Sequence, residues 1–313
     1  MKIRFWGVRG SLPRPLTSEQ VRTKIAAVLQ MARPEDLDSQ LSRERFLGRL
    51  PASLFGTVGG NTTCVEVRTS GNDVILFDAG SGMQQFSSML MKEQEHIDTF
   101  HIFFSHFHWD HLQGLPFFSK LYDRRAVLHF YSPREDLREI IEGQMRDPYF
   151  PIGLDAAAAE LHFHTIDNTP LRIGDASVRW KKMRHPGESV SYRVEERGKK
   201  AIFSTDTELS EADFQKTDAN RAYFEKADLV IMDSQYTLGE AIEKYNWGHS
   251  SYSIAVDFAS AWKIRHLVLF HHEPEYDDRK LYAMQQSADW YRSHLKNKKI
   301  KIDLATEDLV VEV

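Results

Sequence analysis

Ser105-His106-Phe107-His108-Trp109-Asp110-His111 is the stretch on which the reading of this chain turns. Directly before it runs Phe100-His101-Ile102-Phe103-Phe104, short, apolar and aromatic, as a buried strand is. The cluster therefore falls at a strand's carboxyl end, where open α/β sheets place their ligand crevices. Crowding His106, His108, Asp110 and His111 into six residues is costly unless a cation compensates them. Zn²⁺ suits such a set, taking nitrogen and oxygen ligands at about 2.0–2.2 Å. His106 and His108 are two apart, so in extended backbone they project to the same side. Asp110 and His111 follow after a bend and can face a second ion, which suggests two ions roughly 3.5–4 Å apart. The competing reading, a solvated His-rich loop, lacks the buried strand in front and the patterned chain behind that this cluster has.

At 313 residues the chain can form one large α/β domain or two ordinary ones. Apolar content of 42% and charged content of 27% are those of an ordinary globular protein. A formal net charge of −5 argues against a chain built mainly to grip polyanions. The single cysteine, Cys64, excludes an intrachain disulfide and a Cys-rich zinc site, and reads as a small core residue. The first residues alternate like a strand and lack the pattern of a signal peptide, and no apolar run reaches the ~18 residues of a membrane span. The expected location is the cytoplasm, with no membrane partner.

The first strand, Lys2 to Val8, gives way to a Gly/Pro turn cluster and then to residues 17–50, which carry helical periodicity through Val21, Ile25, Val28 and Leu29. Ser18 is the expected cap, Pro34 interrupts, and Leu37, Leu41, Phe46, Leu47 and Leu50 predict a second helix. This is a helical insertion between two strands: a lid, a dimer contact or plain packing. The strand Val74-Ile75-Leu76-Phe77 ends in Asp78-Ala79-Gly80-Ser81-Gly82, a turn that opens a helix over about 83–95. Asp78 is expected to support the loop rather than bind metal. His129 sits inside a strand, and His162 and His164 alternate along another without a bend or acid, so all three are left outside the site. Asp147-Pro148-Tyr149-Phe150-Pro151 is an aromatic loop that could wall a pocket. Strands at Val190–Val194 and Ala201–Phe203 flank a hairpin turn, and the second ends in Ser204-Thr205-Asp206. Leu229–Met232 ends in Asp233, and His266–Phe270 ends in His271-His272. His185 follows a strand-like segment, and Gly248-His249-Ser250-Ser251 precedes a helix over roughly 251–262. Polar residues recurring at strand exits are what an active site at a sheet edge needs.

These residues, in this order, resemble the metallo-β-lactamase superfamily and within it the ribonuclease Z-like phosphodiesterases. The carrying motifs are His106-x-His108-x-Asp110-His111, His185 before Ser191-Tyr192-Arg193, Phe203-Ser204-Thr205-Asp206, Gly248-His249-Ser250-Ser251 and Leu269-Phe270-His271. The resemblance covers residues 1 to about 275 apart from the insertion. It implies an α/β fold, the four-layer αβ/βα sandwich, as a single domain over 1–313 with the helical insertion at 14–57. It implies that His106, His108 and His185 hold one metal, that Asp110, His111 and His271 hold the other, and that Asp206 bridges them. His271 is preferred to His272 because it follows its strand directly. The candidate catalytic residues are His249 as proton donor, Asp233 as the acid that orients it, and Asp110. Two divalent ions are implied, Zn²⁺ before Mn²⁺ or iron because histidines outnumber acids. The family's Gly/Pro-rich arm for tRNA is not found, and Gly60-Asn61-Thr62-Thr63 and Trp247-Gly248-His249 look most like the cyclic-nucleotide group. The expectation is therefore hydrolysis of a small, cyclic nucleotide phosphodiester by a metal-bridging hydroxide. Nucleic acid is the less favoured substrate, with tRNA 3′ processing or thioester or β-lactam hydrolysis as alternatives. A redox enzyme or a sensor fits the residues less well, and a homodimer is an option the family leaves open.

Overall fold

In the computed structural model, which describes residues 1–93 and 96–313, fourteen strands form two sheets of seven. In chain order they are β1 (Lys2–Gly7), β2 (Cys64–Arg68), β3 (Val74–Phe77), β4 (Thr99–Phe103), β5 (Val127–Ser132), β6 (Glu160–Thr165), β7 (Leu171–Ile173), β8 (Ala176–Lys182), β9 (Val190–Glu196), β10 (Lys199–Ser204), β11 (Leu229–Asp233), β12 (His266–Phe270), β13 (Lys301–Leu304) and β14 (Val310–Glu312). One sheet runs β14-β1-β2-β3-β4-β5-β6, the other β13-β12-β11-β10-β9-β8-β7. The last strand returns to pair antiparallel with the first, tying the C-terminus back to β1.

Strands β3 through β6 and β10 through β13 pair in parallel. Strands buried on both faces read as near-continuous apolar runs, which is how β3, β11 and β12 read. The sheets meet through an inner core in which Phe77 stacks on Phe203 at 5.1 Å and Tyr192 at 5.5 Å, and Phe103 stacks on Tyr131 at 4.4 Å. A second core lies outside the first sheet, beneath helices Gly82–Glu93 and Leu137–Gln144. Helices Tyr252–Ala261 and Asp278–His294 cover the other sheet. The order helix, sheet, sheet, helix is the expected four-layer sandwich.

Residues 94 and 95 of the expected helix lie outside the described residues, and its described part is Gly82–Glu93. The expected hairpin turn is the connection between β9 and β10, where Arg197 and Gly198 both have positive φ, the geometry of a tight primed turn. The insertion folds mainly as helices Ser18–Met31 and Gln40–Leu47 with single turns at Pro34–Leu37 and Ala52–Phe55. The cap of the first is Thr17 rather than Ser18: its hydroxyl accepts from Gln20 N while the Gln20 side chain accepts from Thr17 N. Its apolar residues Val21, Ile25 and Leu29 are exposed, and what ties this helix to the body is Lys24 Nζ, 2.5 Å from Asp278 Oδ2. Only Phe46 and Leu50 of the insertion's expected apolar positions are buried.

Candidate metal centre

The carboxyl ends of β3, β4, β10, β11 and β12 open onto one cleft, and each delivers a polar residue there. Asp78 follows β3, the histidine cluster follows β4, Asp206 follows β10, Asp233 closes β11 and His271 follows β12. Asp78, Asp206 and His271 take positive φ values of 61°, 44° and 61°. Backbone in this sparsely populated region costs of order 1–3 kcal/mol per residue and persists where the surroundings over-determine it, as at functional sites.

Among the described residues the donor atoms fall into three overlapping groups: the first two correspond to the expected ligand sets, and the third joins Asp206 and His271 to His249. In the first, His106 Nε2 lies 2.8 Å from His108 Nδ1, and His185 Nε2 lies 3.3 Å from the same atom. Asp206 Oδ1 completes it at 3.8 Å from His106 Nε2 and 3.7 Å from His185 Nε2. In the second, His111 Nε2 is 3.1 Å from Asp110 Oδ2 and from Asp206 Oδ2. His271 Nε2 is 3.1 Å from Asp206 Oδ2 and 3.4 Å from Asp110 Oδ2. A tetrahedron with ligand bonds of about 2.0–2.1 Å has edges of about 3.3 Å, and both groups scatter around that spacing. Asp206 turns one oxygen to each.

Two further observations test whether these residues fit cations. The buried His111 Nε2, 3.1 Å from two carboxylate oxygens, makes no well-directed hydrogen bond to either, although the other ring nitrogen is held by Asp78 Oδ2 at 2.8 Å. Burial disfavours charge on His111, but the carboxylates of Asp110, Asp206 and Asp78 outweigh it and hold that imidazole well above its ordinary pKa. Three carboxylates around one buried ring are a standing demand for positive charge, and the donors fit divalent metal ions.

Outer partners fix the rings, as is usual for histidine ligands. Asp78 also accepts from Ser105 N and Ser105 Oγ, both at 2.7 Å, so it pins the start of the cluster and orients His111: the supporting role expected of it. His185 Nδ1 donates to the Gly248 carbonyl at 2.9 Å. His272 turns away and donates to the Ala305 carbonyl at 2.8 Å, which leaves His271 facing the cleft. Gly80 and Gly114 are required by crowding: a Cβ at Gly80 would lie 2.2 Å from Asp110 O, and one at Gly114 would lie 2.0 Å from Gly80 O.

Beside these groups, His249 Nδ1 is 2.7 Å from Asp233 Oδ2. Burial works against a charged His249, but Asp233 more than compensates and holds it up to about 9. Asp233 is itself fully buried and accepts from Thr207 N at 3.2 Å and Ser250 N at 3.1 Å. Sequence reading missed Glu208, whose two carboxylate oxygens accept from Asn246 N and Gly248 N at 3.1 and 3.0 Å and so shape the loop carrying His249. It also missed the Ser11 amide, which donates to Asp110 Oδ2 at 2.8 Å. Neither contact has a local signal, since Glu208 and Gly248 meet only through folding.

The cleft encloses about 480 Å³ and is lined by Ser11, Phe107, Trp109, Pro186 and Trp247 around the donor atoms. The aromatic loop at 147–151, which could wall a pocket, does not line this cleft, and its Phe150 packs against Phe117 at 5.7 Å. No residue of the 14–57 insertion lines the cleft either. His129 stacks on His101, and His162 and His164 stack on His129, across β4, β5 and β6 and outside the groups of possible metal donors among the described residues.

The chain belongs to the β-lactamase superfamily: the model of the β-lactamase superfamily domain matches residues 74–272. Within it the chain is a ribonuclease Z-like member of the metallo-β-lactamase fold. It is 25% identical over 257 residues to ribonuclease Z of Thermococcus onnurineus, covering 67% of this chain and 79% of that one. It is 28% identical over 162 residues to ribonuclease Z of Thermococcus kodakarensis, where the match spans 50% of this chain and about half, 48%, of the relative. The metallo-beta-lactamase fold protein YhfI from Bacillus subtilis superposes with a TM-score of 0.66 at 15% identity, over 100% of this chain and 98% of the other. Fold, donor set and relatives together define a metal-dependent hydrolase. The sequence-based preference against nucleic acid meets a counterweight here, because both curated relatives carry a ribonuclease name. Among the described residues no helix is long and apolar enough to cross a membrane.

Proposed function

We infer that this chain is a dinuclear phosphodiesterase whose substrate is a small nucleotide phosphodiester, a cyclic nucleotide before others. The observation that carries this reading is Asp206, with Oδ1 set in one donor group and Oδ2 in the other, beside a histidine already hydrogen-bonded to a buried acid. His106, His108 and His185 would hold one ion and Asp110, His111 and His271 the other, with Asp206 available to both; Zn²⁺ suits the nitrogen-rich sets. Bound there, the ions supply Lewis acidity toward a phosphoryl oxygen and lower the pKa of water from 15.7 toward ~7.

The chain's own residues do the rest. Asp233 fixes the His249 ring through Nδ1, so Nε2 is the nitrogen that serves the substrate. As imidazolium, His249 gives a proton to the departing ribose oxygen, and Asp233 stabilises the charged ring beforehand. The Ser11 amide keeps Asp110 Oδ2 in place. Pro186 and the aromatic side chains narrow the approach to the donors.

A second reading, tRNA 3′ processing, is favoured by the relatives' names and by the 79% of the Thermococcus onnurineus chain that the match covers. One experiment separates the readings. Metal-loaded protein is incubated with cyclic mononucleotides, cyclic dinucleotides, a tRNA precursor, a thioester and a cephalosporin, and the products are analysed. Cleavage of a cyclic nucleotide at the P–O bond is the expected result. Turnover of the precursor alone assigns the second reading, and turnover of only the thioester or cephalosporin overturns both.

A further inference from the structure

Three tryptophans are more than half exposed among the described residues: Trp109 at 81%, Trp247 at 62% and Trp290 at 66%. Two of these three, Trp109 and Trp247, line the cleft that holds the metal-donor atoms. They reach it from opposite halves of the sandwich. Trp109 stands between His108 and Asp110 in the loop after β4, and Trp247 stands two residues before His249 in the segment after β11. The backbone beneath each is held. Leu112 N and Gln113 N both donate to the Trp109 carbonyl, at 3.0 and 2.8 Å. Trp247 is bracketed by Asn246 N and Gly248 N, both donating to the Glu208 carboxylate. Among the described residues no aromatic ring stacks on either indole, and Trp247 has the Lys244 ammonium 5.5 Å from its ring centroid. Large rings left mostly exposed beside the metal-donor cleft offer binding surface, since the fold covers little of their area.

We propose that Trp109 and Trp247 form a stacking platform that takes the nucleobase of a phosphodiester substrate and sets its phosphate over the donor groups. This rests on the phosphodiesterase reading and deepens it by naming which part of the substrate the chain grips. Base stacking on an indole tolerates any base because each has a π-face, so the platform selects for a base rather than for its identity. The position in sequence couples grip to chemistry. Trp109 stands between His108 and Asp110, and Trp247 stands two residues before His249.

The test uses the metal-loaded full chain, with Trp109→Ala, Trp247→Ala and the matching Phe variants. Binding of a nucleoside 5′-monophosphate and of ribose 5-phosphate is measured by calorimetry, together with metal content. Each Ala variant is expected to weaken the nucleotide about 5- to 150-fold while ribose phosphate binding and metal content hold, and each Phe variant to recover most of the loss. Equal loss for ribose phosphate, or no loss for the nucleotide in either Ala variant, overturns the platform. Should Trp109→Ala lose metal, Trp109→Phe and Trp247→Ala still decide the matter. Kinetics of the same variants on a cyclic mononucleotide and a tRNA precursor show whether the gripped base belongs to a free nucleotide or to RNA, the expected signature being a raised KM on the substrate that uses it. Hydrolysis of an aryl phosphodiester by the unaltered chain is measured in parallel. If that hydrolysis is present and the nucleotide preference absent, the platform alone fails; if the hydrolysis is absent, the phosphodiesterase reading fails.

Discussion

Asp78 shows how much one buried carboxylate can organise. It accepts from Ser105 twice and from His111 once, so it both starts the metal loop and aims one of its rings. Removing such an outer partner of a histidine ligand typically costs 10–100-fold in metal affinity. Asp78→Asn is expected to weaken metal binding by about that factor, read by competition with a chelating dye; unchanged affinity would refute the orienting role. His249 is the complementary case, close to the donors but assigned no metal. His249→Ala is expected to keep its metal and lose about 10²–10⁴-fold in turnover, the usual worth of a positioned acid. Metal analysis beside steady-state rates checks both halves of that statement. For Asp206→Ala, loss of metal as well as activity is expected, since Oδ1 faces one group and Oδ2 the other; full occupancy by elemental analysis would count against a bridging role.

Among the elements, the edge formed by β4, β5 and β6 carries an in-register ladder: His101 opposite His129, and His129 opposite His162. Ring centroids are 5.0 and 4.8 Å apart, and His129 Nδ1 lies 3.0 Å from His164 Nε2. Burial, followed by the neighbouring His129, holds His101 down from 6.5 to about 4 against the opposing pull of Asp73. Burial likewise lowers His129 and His164. A histidine lowered on folding stays neutral in the native state while the unfolded chain takes up protons first. The contribution of His101 to stability is therefore expected to fall as pH drops from about 6.5 to about 4 and to level off below that. Thermal unfolding of the native chain and of His101→Gln across this range tests it: the variant's melting temperature should vary less steeply with pH.

For the whole molecule, the two sheets are held together by a stack that no local signal announces. Phe77 of the first sheet lies between Tyr192 and Phe203 of the second. Truncating a fully buried phenylalanine costs about 3–5 kcal/mol. Phe203→Ala is expected to lose stability of that order in denaturant unfolding with no change in the metal-binding residues themselves. Because the donor groups draw on both sheets, metal binding and folding are linked: ligands that bind only the native state stabilise it by mass action. Stripping metal with a chelator should lower the melting temperature, and adding the ion back should restore it in a concentration-dependent way.

What the sequence determined by itself was the chemistry and the order of the parts. The cluster after Phe104, the acids and histidines at strand exits, and the alternation of strands and helices are all local patterns, set by burial and by spacing along the chain. The donors His185, Asp206 and His271 could be named from motif resemblance, and the cleft brings them within 4 Å of atoms on the first cluster. Only the tertiary structure decided which oxygen of Asp206 faces which group, that His272 turns to Ala305 while His271 faces the cleft, and that Glu208 shapes the His249 loop. It also turned the insertion's apolar stripe outward, moved the cleft's aromatic walls from the 147–151 loop to Trp109 and Trp247, and closed the first sheet with β14. The reason is that periodicity records whether a side chain is apolar and on which face it stands. What covers that face, and which distant carboxylate meets which ring, is fixed only when the two sheets pack.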